Sequence, residues 1–482
     1  MFSLGITKNR QVHPREIMNP DLAHTTPDLS PASISFTEAM RFWFKLGFIS
    51  FGGPAGQIAI MYRKLVDEKR WISESRFLHA LNYCMVLPGP EAQQLATYLG
   101  WLMHGKLGGI IAGALFVLPS LAILIALSWV YLTFGDNPII AGIFYGIKPA
   151  VTAIVAQAAW RIGNRTLNNR WLVAIAVLAF VAIFVFNLAF PAIVIGAAML
   201  GLMSRIGGRI LLTASATSDT PIANATRGTP ALTEFTALLN DTSSSPPHLI
   251  WRPRRAIITA AVGVSLWLGA MGLLVANGGV NSTLSQMGWF FTKAAMMTFG
   301  GAYAVLPYVY QGAVENFQWL TATQMIDGLA LGETTPGPLI MVVAFVGYLG
   351  GVTNDVVAGQ PFFSGALAAI VVTFFTFLPS FLFIFIGGPF IESTRGNLAL
   401  QAPLTAITAA VVGVILNLAV FFTWHVWWPQ GKAQDVFAGG IDFAAVAITL
   451  AATLALTRFK VNVIWVMVGC GFAGYILTAL VR

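Results

Sequence analysis

Charge is scarce in this chain of 482 residues: 27 Lys and Arg with 19 Asp and Glu make up only 10% of it, against about 25% in an ordinary soluble domain. Such a chain cannot face water on all sides, which excludes a secreted module, a collagen and a disordered polypeptide. Cysteine is nearly absent. Cys84 and Cys470 stand far apart in apolar stretches and suggest no disulfide framework, redox CxxC or Cys-based metal site. The six histidines never approach HExxH spacing, and no cofactor fingerprint is visible. The expectation is therefore no metal, no cofactor and no catalysis. The first 35 residues lack the apolar core of a signal peptide, so the mature chain is expected to begin at or near Met1. The net charge of +8 reads as Lys and Arg retained on the cytoplasmic side of a membrane, not as a nucleic-acid surface.

Apolar residues take the place of charge, at 57% of the chain with a mean hydropathy of +0.75. Forty-seven Gly and fourteen Trp fit membrane helices and their interfaces. At roughly 20 apolar residues per spanning helix, the pattern predicts an all-α polytopic membrane protein with about 13 transmembrane segments. The segments group into a cytoplasmic tail over 1–35, an N-terminal transporter repeat over 36–204, a polar cytoplasmic linker over 205–255, a lone apolar helix over 256–277 and a C-terminal repeat over 284–482. The linker is marked by Ser, Thr, Pro, Asn and Arg.

The second half repeats the first. Phe51-Gly52-Gly53 returns as Phe299-Gly300-Gly301, Trp71 as Trp319, and Pro88-Gly89-Pro90 as Pro336-Gly337-Pro338, each 248 positions later. Lys45 and Lys293 each stand six residues before their Phe. Past a small insertion near 351–362, Leu118-Pro119-Ser120 is answered by Leu378-Pro379-Ser380. Six segments per copy leave the second copy in the same orientation as the first. The lone helix between them makes the count odd and turns the second copy over, as in inverted-repeat transporters.

An N-terminus inside the cell puts most Lys and Arg on the cytoplasmic side. The stretch Arg63–Arg76, with five basic positions, breaks this pattern. Either the first segment does not span fully, or Arg63 and Lys64, with Arg41, form an electropositive mouth for anions.

The repeated motifs carry the candidate chemistry. Ser50-Phe51-Gly52-Gly53-Pro54 and Thr298-Phe299-Gly300-Gly301-Ala302 read as helix breaks that aim amides at a cavity, or as small-residue packing. The Pro-Gly-Pro motifs, centred on Gly89 and Gly337, read as the starts of half-helices near mid-membrane or as plain kinks. Gln93 and Gln94 follow the first motif. Thr334 and Thr335 precede the second, where their hydroxyls could cap a helix or donate to a ligand. Lys45 and Lys293 are intramembrane charges, functional by default unless they snorkel to the interface; two cations meeting from opposite leaflets would suit a divalent anion. Glu91 and Glu333 beside the breaks could carry protons or stabilise helix N-termini. His79, Asn82 and Tyr98 could line a polar cavity, and Lys148 is a weaker candidate.

Phe-Gly-Gly-Pro at 51–54, Trp71, Leu-Pro-Gly-Pro at 87–90 with Gln94-Leu95-Ala96 and Tyr98-Leu99-Gly100, and Leu-Pro-Ser at 118–120 resemble the chromate ion transporter family. The resemblance covers about 36–480 and is to its long, two-domain form. It implies inverted homologous halves in the bacterial inner membrane and export of chromate from the cytoplasm driven by the proton gradient, giving chromate resistance. Sulfate is the look-alike substrate in such families. Ala302 replaces Pro54 and Thr335 replaces Leu87, so equal contributions of the halves do not follow. A sulfate or other oxyanion carrier is the alternative within transport. A membrane-embedded redox enzyme or a sensor is the alternative outside it. The lipid bilayer is the expected surrounding, and an oligomer is allowed but not specified.

Overall fold

The computed structural model describes residues 34–51, 53–135, 137–206, 251–299, 302–393, 401–429 and 440–480, and every regular element in them is helical. The expected tail, apart from residues 34 and 35, and positions 207–250 of the expected linker lie outside the described residues. Among the described residues, six helices are long and apolar enough to cross a membrane, and residues such as Phe48, Leu178, Leu266, Leu450 and Phe472 present an exposed apolar surface around them.

The first repeat opens with α1 (Phe36–Ile49), α2 (Gly53–Tyr62) and a π-helical turn Arg63–Glu68. Its sequence reads as one interrupted segment, but the chain folds back at the interruption. Lys69 Nζ lies 2.9 Å from Glu38 Oε1, and Phe42 packs edge-on against Trp71 at 5.4 Å. The start of α1 and the end of the π-turn therefore share one face of the molecule, here called proximal. Length explains why: 14 residues make about 21 Å of helix, too short for the roughly 30 Å hydrocarbon layer. Arg63, Lys64, Lys69, Arg70 and Arg76 thereby join the face on which residue 34 lies, which answers the question they raise in the sequence.

The second segment folds back too. α3 (Glu74–Val86) leads inward to the Pro-Gly-Pro motif, and α4 (Glu91–Phe134) leads out again. α4 bends sharply at His104 (φ −135°, ψ 26°) and Gly105 (φ 63°, ψ −158°). The His104 ring contacts the Ile34 carbonyl at 2.9 Å, so this bend is proximal as well. Its two limbs, 91–103 and 106–134, form a hairpin in which Gly100 backs onto Gly108 and Ala112. The second limb then runs to the opposite, distal face. α5 (Pro138–Thr166), α6 (Arg170–Phe184) and α7 (Phe190–Ile206) complete the repeat.

α8 (Pro253–Gly278) has no counterpart. It starts beside the proximal bend, where Lys106 Nζ donates to Thr259 Oγ1 at 2.5 Å, and much of its apolar surface is exposed. The second repeat then follows the first element by element: α9 (Thr283–Met296), α10 (Ala302–Tyr310), a π-turn Gln311–Asn316, α11 (Ala322–Thr334), α12 (Val342–Thr353) after a short 3-10 turn, and α13 (Pro361–Ser393). α14 (Gln401–Trp427), α15 (Phe443–Thr457) and α16 (Val463–Leu480) match α5 to α7. The π-turn and α11 recur at the offset of 248 to the residue.

The outer limb of α4 and its equivalent α13 run antiparallel. Gly109 touches Phe385 and Gly113 touches Phe381 near one end, while Trp129 meets Phe362 at 6.3 Å near the other. Equivalent helices running in opposite directions make the two copies an inverted repeat. Each fold-back crosses the membrane zero times, so the parity that the sequence implies is kept. The halves are also interwoven: α5 packs on α15 and α16, and α14 packs on α6 and α7.

Candidate functional site

Four fold-back tips define the site. At the first, α1 ends at Ile49 and α2 begins at Gly53, whose φ is +69°, with Pro54 in the first turn of the new helix, where a missing N–H costs nothing. Its twin lies between Met296 and Ala302. Gly52, Gly300 and Gly301 fall outside the described residues. At the Pro-Gly-Pro tips, two prolines remove two donors and disfavour helix before each ring. The intervening Gly89 and Gly337 turn the chain with φ of +128° and +109°, values that a residue with a side chain rarely adopts.

A break inside an apolar layer leaves backbone groups that must find partners. Here each tip satisfies a tip of the other repeat. Gly89 N–H donates to the Thr298 carbonyl at 2.7 Å, and Gly337 N–H donates to the Ser50 carbonyl at 2.8 Å. Ser50 and Thr298 are equivalent positions, as are Gly89 and Gly337, so the two bonds are mates under a pseudo-two-fold axis. Gln57 Nε2 reinforces one side by donating to the Gly337 carbonyl and to the Ser50 carbonyl at 3.3 Å.

The structure gathers Ser50, Gly89, Thr298 and Gly337 directly. Gln93 and Gln94 are buried one turn away: Gln93 Nε2 donates to Thr97 Oγ1 at 3.0 Å and Gln94 Nε2 to the Pro88 carbonyl at 2.7 Å. The hydroxyls of Ser50 and Thr298 donate to the carbonyls of Leu46 and Ala294. Those of Thr334 and Thr335 likewise donate to the preceding turn. Glu91 opens α4, and buried Glu333 accepts a hydrogen bond from the Tyr303 hydroxyl. Lys45 and Lys293 are not drawn into the tips. Both are exposed on the flanks of α1 and α9, with Lys293 Nζ 5.9 Å from the Trp289 ring centre. Arg41 is exposed on the same helix as Lys45, while Arg63 and Lys64 both face Glu68 at 3.7 and 2.5 Å. Asn82 is exposed, and Tyr98 donates to Glu392 at 2.5 Å.

Several residues escape sequence reasoning. Gln57 sits in an apolar run without a repeated partner, and Tyr303 stands where the first copy has Ala55. Asp327 is buried in α11 between the Tyr131 hydroxyl, which donates at 2.9 Å, and Lys148 Nζ at 3.4 Å. That gives Lys148 a carboxylate partner. Its signal in the sequence, an acid in an apolar segment, was available. The tips thus gather buried hydroxyls of both halves and amides of the first, with Glu333 in the helix that leads to the second Pro-Gly-Pro motif.

Fold-back pairs from two inverted halves, meeting in the middle of an all-helical membrane protein, define the class as a transporter of the inverted-repeat kind. The chain belongs to the chromate transporter family, which matches residues 37–202 and 285–475. It is 31% identical over 460 residues to a chromate transport protein of Pseudomonas aeruginosa, covering 94% of this chain and 95% of that one. A chromate transport protein of Cupriavidus metallidurans is 29% identical over 402 residues, covering 82% and 84%. An uncharacterized transporter of Bacillus subtilis is 30% identical over 121 residues, 25% of this chain and 68% of its own. No solved structure matches.

Proposed function

We propose that this protein is a secondary transporter that exports chromate from the cytoplasm across the inner membrane, linked to the proton gradient, and so confers chromate resistance. The observation that carries this reading is the exchange of hydrogen bonds between the tips of the two inverted halves. It supports a central solute site that the halves, by rocking, could open to either face in turn. The names of the relatives support chromate as the solute. In this reading Ser50, Gly52, Gly53, Gly89, Gln93 and Gln94 of the first half, with Thr298, Gly300, Gly301, Thr334, Thr335 and Gly337 of the second, surround the anion. Lys45 and Lys293 draw it toward the tips, while Arg41, Arg63 and Lys64 bias the proximal mouth. Glu91 and Glu333 carry protons, an assignment favoured for Glu333 by its burial and its bond from Tyr303. The reading assigns no catalytic step.

Orientation follows from charge. With the first segment doubled back, the basic stretch 63–76 lies on the face that also holds Lys106, which favours that face as the cytoplasmic one. Export then runs downhill electrically. One charge moved through 100 mV is worth about 2.3 kcal/mol, so a dianion leaving a negative interior gains about 4.6 kcal/mol per 100 mV. Proton coupling adds to this gain.

Sulfate, a tetrahedral dianion of similar charge, is the second reading. The test is chromate uptake into inverted membrane vesicles with and without a pH gradient, repeated with excess sulfate. Saturable uptake stimulated by the gradient is expected. Uptake of sulfate with no chromate uptake would replace the first reading by the second, and normal flux without any added reductant would dismiss a redox enzyme.

A further inference from the structure

Buried Ser and Thr hydroxyls in helices commonly donate to the carbonyl four residues back. This chain follows that habit at Ser50, Ser128, Thr298, Thr376 and Thr449. Ser120 and Ser380 do not. They are 0% and 1% exposed, and neither Oγ has a hydrogen-bond partner. A buried hydroxyl left unpaired costs about 1–3 kcal/mol, so two of them at equivalent positions in an inverted repeat call for a reason.

Their location supplies it. Each serine ends a Leu-Pro-Ser motif on a long helix of one repeat and lies against the Pro-Gly-Pro glycine of the other. A Cβ on Gly89 would stand 2.5 Å from Ser380 Oγ and 2.5 Å from Gln94 Nε2. The two donors therefore flank the bare Cα of Gly89, no further from each other than twice that distance. Gln94 Nε2 has a second hydrogen beyond the one given to Pro88. The first-turn amides of α4, which lack intrahelical acceptors, begin at Glu91, two residues past Gly89. The Ser380 hydroxyl and the second Nε2 hydrogen of Gln94 are donors with no partner among the described residues; two such donors beside a helix N-terminus favour an anion.

The mate is weaker. A Cβ on Gly337 would stand 2.6 Å from Ser120 Cβ and 3.1 Å from its Oγ, but Val342 occupies the position equivalent to Gln94. Ser120 has no second side-chain donor beside it from that place.

We propose that Ser380 and Gln94, one from each repeat, form a composite subsite that hydrogen-bonds one oxygen of a tetrahedral oxyanion against Gly89, with Ser120 a lesser echo. The proposal rests on the transport reading only for the identity of the anion. Radiolabelled chromate, and sulfate in a parallel arm, is titrated onto detergent-purified full-length protein, and flux is measured separately in vesicles. Losing a hydrogen bond to a charged group is expected to weaken binding about tenfold in Ser380→Ala, and Ser120→Ala is expected to weaken it less than about threefold. Ser380→Cys, which leaves no cavity and is slightly larger but donates weakly, should match Ser380→Ala and carries the test if the alanine variant does not fold. Wild-type affinity in the Ser380 variants, equal losses at the two serines, or no saturable binding of either anion to the wild type would overturn the subsite. Binding that depends on Ser380 without flux in vesicles would instead refute the exporter, and flux with binding indifferent to Ser380 would refute the subsite alone.

Discussion

Around its tips the first repeat buries three glutamines, Gln57, Gln93 and Gln94, where the second has Val305, Met341 and Val342. The second buries two acids, Asp327 and Glu333, where the first has His79 and Met85. The backbone repeats closely: the π-turns and the helices that lead into the Pro-Gly-Pro motifs recur at one offset, and the tip-to-tip bonds recur with them. The polar chemistry does not. Geometry must recur because two tips that satisfy each other need matching shapes, whereas the side chains around them are free to differ. Among the described residues, the buried side-chain amides gather in the first half and the buried carboxylates in the second.

The largest effects should come from breaking what the halves share. Gly89→Ala and Gly337→Ala each force a side chain into a left-handed backbone, costing about 1–3 kcal/mol, and each drives a Cβ into a serine of the other repeat. Both should abolish transport and lower the melting temperature of the purified protein by similar amounts. A lesion confined to one glycine would show that the tips are not equivalent. Next comes the acid side. Glu333→Gln is expected to remove the stimulation of chromate flux by a pH gradient, about tenfold or more, while Met85→Gln at the equivalent place leaves it intact. Gradient-stimulated flux in Glu333→Gln would end its role as proton carrier.

A smaller effect is expected on the amide side. Gln57→Leu strips a donor from the Gly337 and Ser50 carbonyls and should cost about 1–3 kcal/mol in unfolding. Gln57→Met, which keeps the length and volume of the side chain but carries no donor, should cost a similar amount. Wild-type stability in Gln57→Met would mean that Gln57 only fills space. The smallest effects belong to the exposed cations. Lys45→Gln and Lys293→Gln should each slow flux about threefold at low ionic strength, a difference that fades as salt screens it. A loss that persists in high salt would put the ammonium groups in direct contact with the anion.

The constant spacing of Phe-Gly-Gly, Trp and Pro-Gly-Pro makes the duplication legible from the chain alone, and the odd lone helix makes its inversion legible too. The breaks are legible because Gly and Pro act locally. Their outcome is not: after Ser50 a helix can resume in the same direction or turn back, and only the meeting of Glu38 with Lys69 decides. The basic stretch 63–76 held that answer, since it sits awkwardly on the far side of a full span. For the site, local chemistry marks Gly89, Gly337 and the glutamines. It cannot show that Lys45 points away from the tips or that Ser380 points at Gly89, because both depend on which helix of the other repeat lies alongside. Ser120 and Ser380 are visible in the sequence only as landmarks of the repeat.

The exchange of α5 and α14 between the halves has a bearing on how the protein is made. Lys148 enters the bilayer 179 residues before Asp327 is synthesised, an interval of roughly 10–40 s at about 5–20 residues per second. Throughout it, the ammonium group lacks the carboxylate that later stands 3.4 Å away, and α5 lacks α14, α15 and α16, against which it will lie. The nascent first half is thus left as an unfinished surface, dependent on synthesis of the second half before Lys148 gains its carboxylate partner.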